Sequence, residues 1–243
     1  MAELPKVDGF CERLLMINDA LGSARRLFAA IVFGFACSAP AWAEMPVPIG
    51  CTPAATSHHS LCATSTVFMC SGGIEVHTYV AGNLLAKHLH DENWMMQGYE
   101  YTNSAAMAFS KVEEGPEPTR LVDLVVNGRV KEGGKFALNT RVIRDRIYTL
   151  DGTITLSEEV VNLGGVDFRK GQIDRLFEPK PGGGGLSFQI DILVAPERNL
   201  LIEGNMTRSA FGSTPELLEQ DVRAVYFEGQ SGFMSMQSEY GCG

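Results

Sequence analysis

The chain has 243 residues, of which 45% are apolar, and carries a formal net charge of −9. That length is enough for one domain with a real core. The acidic balance argues against nucleic acid or an anionic membrane surface as a partner.

The N-terminal stretch reads as an export signal. Residues 27–35, Leu-Phe-Ala-Ala-Ile-Val-Phe-Gly-Phe, contain no charge. The run is too short for a spanning helix, which needs about 20 residues, but it fits the apolar part of a signal peptide. Arg25 and Arg26 supply the basic flank, and Ala41-Trp42-Ala43 supplies the small-x-small cleavage pattern. Residues 1–43 are therefore expected to be removed between Ala43 and Glu44. Glu3, Asp8, Glu12 and Asp19 are unusual in such a segment, so translation is expected to start at Met16. Arg25-Arg26-Leu27-Phe28 resembles the twin-arginine signal only in the arginine pair and the phenylalanine, so a general secretory signal fits better. Cys37 falls in the discarded peptide. Residues 1–43 hold four basic and four acidic side chains, so the whole charge of −9 belongs to the mature chain. With no second long apolar segment, the mature chain is expected to carry no transmembrane anchor. A bacterial periplasm or the extracellular space is its expected location.

Cys51, Cys62, Cys70 and Cys242 remain after cleavage, an even set that reads as disulfides in an exported protein. Residues 61–70 have strand character, which would put Cys62 and Cys70 about 26 Å apart. A disulfide needs Cα atoms within about 7 Å, so that pair is excluded. Both other pairings tie Cys242 to the first strand, and Cys51–Cys62 with Cys70–Cys242 is preferred. No Cys-x-x-Cys supports a redox or thiolate-metal site.

Residues 44–60, rich in Pro, Ala, Thr and Ser, are expected to form an irregular leader, and residues 61–243 a single β-rich domain. Residues 74–80 read as a strand. Residues 83–94 fit either a helix capped by Asn83 or a strand. Residues 121–126 form an apolar β-branched run before Asn127-Gly128, a strong hairpin signal. Residues 136–150 read as one long strand turning at Asp151-Gly152, and Gly164-Gly165 as the next turn. Pro181 and the glycines of 182–185 read as a loop. Residues 186–194 alternate cleanly, with Phe188, Ile190, Ile192 and Val194 on one face. Residues 196–199 form a turn, and residues 200–208, 222–227 and 233–236 complete the strands. Thr214-Pro215-Glu216 has the cap and proline of a helix start, predicting a short helix to about Gln220. The fold class is thus all-β, mainly an antiparallel sandwich or barrel, with one or two short helices.

Standard catalytic signatures are missing from the sequence. There is no Gly-x-Ser-x-Gly and no His-Glu-x-x-His, and the glycines of 182–185 lack the Lys-Ser/Thr of a phosphate loop. Glu113-Glu114 and Glu158-Glu159 would point to opposite faces of a strand. The five histidines, however, all fall between residues 58 and 90, near Met69, Met95, Met96 and Met107. On a strand His88 and His90 share a face, whereas on a helix they diverge by about 200°. His77 would share a face with Glu75. His77, His88 and His90 are therefore the candidate metal ligands, for copper with thioether help or zinc with a carboxylate. The competing reading leaves His58 and His59 in the leader and Met95 and Met96 in the core.

The function that fits best is an exported, non-catalytic β-domain that binds a small apolar ligand or a protein partner. In a barrel, Phe188, Ile190 and Ile192 would line the ligand site; in a sandwich they would fill the core. The alternatives are periplasmic metal binding through residues 58–90 and an enzyme with a dispersed site. No cofactor is expected in the leading reading, and copper or zinc is the one that the histidine alternative would bring.

Overall fold

The computed structural model describes residues 45–102, 107–115, 120–179, 185–210 and 213–242. The expected signal segment, with Met16, Cys37 and the Ala43/Glu44 cleavage point, lies outside them. The strands are β1 (Cys51–His59), β2 (Ala63–Cys70), β3 (Gly73–Val80), β4 (Asn83–His90), β5 (Met96–Tyr101), β6 (Met107–Glu114), β7 (Arg129–Thr140), β8 (Arg146–Leu163), β9 (Val166–Pro179), β10 (Leu186–Ala195), β11 (Leu200–Ala210), β12 (Glu216–Leu218) and β13 (Val222–Tyr226). One α-helix, α1 (Leu121–Asn127), precedes β7. No helix among the described residues is long and apolar enough to cross a membrane.

Each strand from β2 to β12 pairs antiparallel with its predecessor, and β13 pairs with β1 on its free side. The result is one curled antiparallel sheet whose edges, β12 and β13, are consecutive in the chain. Residues 219–221 run from one edge to the other. Their backbone is held on both sides: Gln220 N–H donates to Asn205 Oδ1 on β11, and Ser60 N–H, just after β1, donates to the carbonyl of Asp221.

Alternation sorts side chains onto the two faces. The concave face carries Val67, Val76, Phe109, Phe136, Tyr148, Ile173 and Ile190, all but Val76 fully buried. The convex face of β2 and β3 carries Phe68 and Tyr79, which are buried under Met45, Met234 and Met236 from the two ends of the described chain. The C-terminal segment is fastened there by backbone and side chain: Met45 N–H donates to Met234 O, and Ser238 Oγ to His59 O.

The structure differs from the sequence reading at several elements. Residues 51–59, expected to be irregular, form β1 in the body of the sheet; Thr56, Ser57, His58 and His59 pair on both sides, with β2 and β13, which a Pro and Ala-rich composition does not reveal. Residues 121–126 are helical, not a strand. Leu121 and Leu124 are buried at helical spacing while Val122 and Val126 face outward, and Gly128 is the left-handed C-cap (φ 68°), not a hairpin residue. Asp151 and Gly152 sit inside β8, and the turn falls at residues 141–145. Residues 216–218 extend the sheet as β12, held by pairing with β11 and the Arg208–Glu216 ion pair, in place of the expected helix. Residues 233–236 form turns with one isolated bridge at Ser235, not a strand.

The disulfides are Cys51–Cys70 and Cys62–Cys242. The excluded Cys62–Cys70 bond is not made, but the pairing is the alternative to the preferred one. Antiparallel pairing of β1 and β2 makes Cys51 and Cys70 register partners, with Cα atoms 4.0 Å apart. That proximity depends on β1 being a strand.

Candidate functional site

The concave side of the sheet encloses a cavity of about 550 Å³. Its walls are mainly apolar and aromatic, contributed by Val76, Met96, Phe109, Phe177, Phe188 and Met206 among others. A group of ionisable side chains interrupts this lining. Register explains how it forms. Glu132 on β7, Gly152 on β8 and Arg175 on β9 are successive cross-strand partners, all on the concave face. With no side chain on Gly152, Glu132 and Arg175 meet above β8. Arg175 donates Nε to Glu132 Oε2 at 2.7 Å and Nη2 to Oε1 at 2.9 Å, a two-pronged buried pair.

Glu203 joins from β11. The register slips between Ile190 and Ile192, so that Met206 and Glu203 both face inward with two residues, Gly204 and Asn205, between them. This bulge re-aims the strand and frees Asn205 to hold Gln220. Glu203 Oε2 accepts from His88 Nδ1 at 2.8 Å, and Arg175 Nη1 lies 3.9 Å from Glu203 Oε1. Burial opposes ionisation of Glu203, but His88 and Arg175 outweigh it and hold the carboxyl at about 2. Burial lowers the His90 imidazole to about 3, leaving it neutral at physiological pH. Two buried atoms here lack a hydrogen-bond partner: His90 Nδ1 and Glu203 Oε1. Tyr99 stacks edge-on against His88, with ring centroids 4.7 Å apart, and burial raises its phenol pKa.

The three candidate metal ligands do not converge. Residues 83–90 are a strand, so His88 and His90 share the concave face, with ring centroids 6.4 Å apart. His77 pairs in register with Lys87, one position out of phase with His88. It therefore lies on the convex face, where its Nε2 is 2.8 Å from Glu75 Oε2 and its ring packs on Phe68. Among the described residues, the one cluster of His, Cys or acidic groups tight enough for an ion is Cys51, Cys70 and Glu75. Both of those cysteines are already spent in a disulfide.

His58 and His59 are buried participants in closing the sheet. His58 Nε2 donates to Gly232 O at 3.0 Å, and its Nδ1 accepts from Glu239 N–H at 3.1 Å. Burial depresses the pKa of both rings, so each is neutral. His59 Nδ1 lies 3.0 Å from Gln220 O and must donate to it. His59 Nε2 is then an acceptor, and Ser57 Oγ, 2.9 Å away on the cavity wall, donates to it.

Arg175, Glu132 and Glu203 were absent from the sequence-based candidates. A signal for Arg175 existed: it sits between Ile173 and Phe177 on the apolar face of an alternating strand, where a charge has to be paired. For Glu203, the following Gly204 marks a break in strand alternation. No protein-family model matches this chain, and no characterised protein or solved structure is similar enough to match it.

Proposed function

We propose that the protein is an exported, non-catalytic carrier or sensor of a small, largely apolar molecule, which it holds inside the curled sheet as in a β-barrel. The carrying observation is the cavity of about 550 Å³ on the concave face, which falls within the size range of small-molecule sites. Its mixture of apolar wall and a few clustered polar groups is the usual composition of such sites. Two disulfides support an oxidising compartment, periplasmic or extracellular.

The test is binding of N-phenyl-1-naphthylamine, a dye that fluoresces in apolar surroundings. The purified protein should enhance its emission with saturation at one site. Met206→Trp, which fills the cavity from a partly buried position, should abolish the enhancement while leaving the circular dichroism melt unchanged. Saturable binding unaffected by this substitution, or none in the wild type, would exclude the reading.

A second reading, an enzyme with a dispersed site, rests on the Ser57–His59 contact. Its direction, Ser57 donating to a neutral imidazole anchored through its other nitrogen, matches that of a nucleophile and its base. Labelling of Ser57 by a fluorophosphonate would favour it. An unlabelled protein would leave Ser57 and His59 as a structural hydrogen-bond chain, in which Ser57 also lies 3.2 Å from Ser65 O.

A further inference from the structure

Taking the cavity to be a ligand site, as proposed above, we infer that its polar end selects a neutral hydroxyl-bearing apolar molecule, an alcohol, over a carboxylate or an amine of the same length. Two atoms carry the inference. Arg175 spends Nε and Nη2 on Glu132, leaving Nη1 directed at Glu203 Oε1. Their separation of 3.9 Å is too long for a direct hydrogen bond. Glu203 Oε1 is buried without a partner, although its other oxygen is fixed by His88. A donor and an acceptor at that spacing suit one oxygen about 2.8 Å from each. A hydroxyl can accept from Nη1 and donate to Oε1 in the same position.

The competing head groups can satisfy only one of these atoms. A carboxylate accepts from Arg175 but brings a second negative charge against Glu203, while the charge of Arg175 is already matched by Glu132. An ammonium donates to Glu203 but meets the guanidinium of Arg175. Both mismatches occur away from bulk water, where repulsion is weakly screened. His90 adds a neutral, unpartnered Nδ1 beside this pair, a further contact for an uncharged polar group. Discrimination of this kind rests on what the site repels as much as on what it attracts.

The experiment displaces N-phenyl-1-naphthylamine from the purified protein at pH 7.5 with decan-1-ol, decanoate and decylamine. The alcohol is expected to bind at least about tenfold more tightly than either charged analogue, the ratio that one charge-assisted hydrogen bond supports. Glu203→Gln removes the negative charge but keeps the size, and should bring the alcohol-to-decanoate ratio towards one. Decanoate or decylamine binding as tightly as decanol would overturn the inference while leaving the apolar site intact. An unchanged ratio in Glu203→Gln would overturn the role given to Glu203. If that variant does not fold, the wild-type series decides alone. Failure of the dye itself to bind would instead remove the cavity reading beneath the inference.

Discussion

Gly152→Ala is the most informative perturbation of this fold. In an ordinary extended strand, alanine for glycine stabilises by roughly 0.4–1 kcal/mol through the unfolded chain, and Gly152 does not occupy the left-handed region. Here the added Cβ would stand 2.9 Å from Glu132 Cβ and 3.1 Å from Glu132 Oε2. Cross-strand Cβ atoms usually keep about 4.5–5.5 Å, so β7 and β8 would have to separate and Glu132 would have to swing. The side chain it must move is fully buried, and its partner Arg175 is 6% exposed. Losing one charged hydrogen bond costs about 1.5–3 kcal/mol, and breaking a buried pair outright about 3–5 kcal/mol. The net expectation is a loss of about 2–4 kcal/mol. Urea unfolding at pH 7 with disulfides intact measures it, alongside Arg175→Met and the double variant. Because both substitutions act on one pair, the double variant should lose at least about 1 kcal/mol less than the sum. A neutral or stabilising Gly152→Ala, or strict additivity with Arg175→Met, would refute the claim that the glycine makes room for the ion pair.

The disulfides should contribute unequally. Cys62–Cys242 closes a separation of 180 residues and Cys51–Cys70 one of 19. The chain-entropy relation gives about 5 and about 3 kcal/mol respectively, so paired Cys→Ser variants should lower the urea midpoint more for Cys62 and Cys242. Acid should weaken the fold in two stages. His58, His59 and His90 have folded pKa values below the ordinary 6.5 because burial disfavours their charged forms, so their contribution is complete above about 6.5 and falls as pH drops below it, for His90 down to about 3. Glu203, held at about 2 against an ordinary 4.5, adds a loss only below about 4.5. His90 alone accounts for a slope of up to about 1.4 kcal/mol per pH unit; His90→Phe should flatten the unfolding profile between pH 6.5 and 4.5. At α1, Gly128→Ala should cost about 1 kcal/mol in thermal melts, because alanine resists the left-handed cap conformation.

Local pattern carried much of the β architecture. The alternation of Phe188, Ile190, Ile192 and Val194 and the turns at Gly164-Gly165 and residues 196–199 each appear in the sequence and in the sheet. Where a segment was short, pattern misled. Val-rich residues 121–126 read as a strand, yet the spacing of Leu121 and Leu124 against the core and the cap at Gly128 make them helical. Thr214-Pro215-Glu216 has a helix-start signature, but the free edge of β11 recruits the residues that follow.

The sequence by itself determined that this is a mostly β chain with strands at regular spacing, and that strand geometry forbids a Cys62–Cys70 bond. It also placed His88 and His90 on one face if their segment were extended, because side chains two apart on a strand always are. Only the tertiary structure decided what those faces meet. The pairing Cys51–Cys70, the position of His77 behind the sheet and the convergence of Glu132, Arg175 and Glu203 all follow from strand register. Register joins residues far apart in the chain, as Glu132 to Arg175 across Gly152, and a one-residue shift would send each side chain to the other face. Local periodicity sets which residues share a face; long-range pairing sets which of them touch.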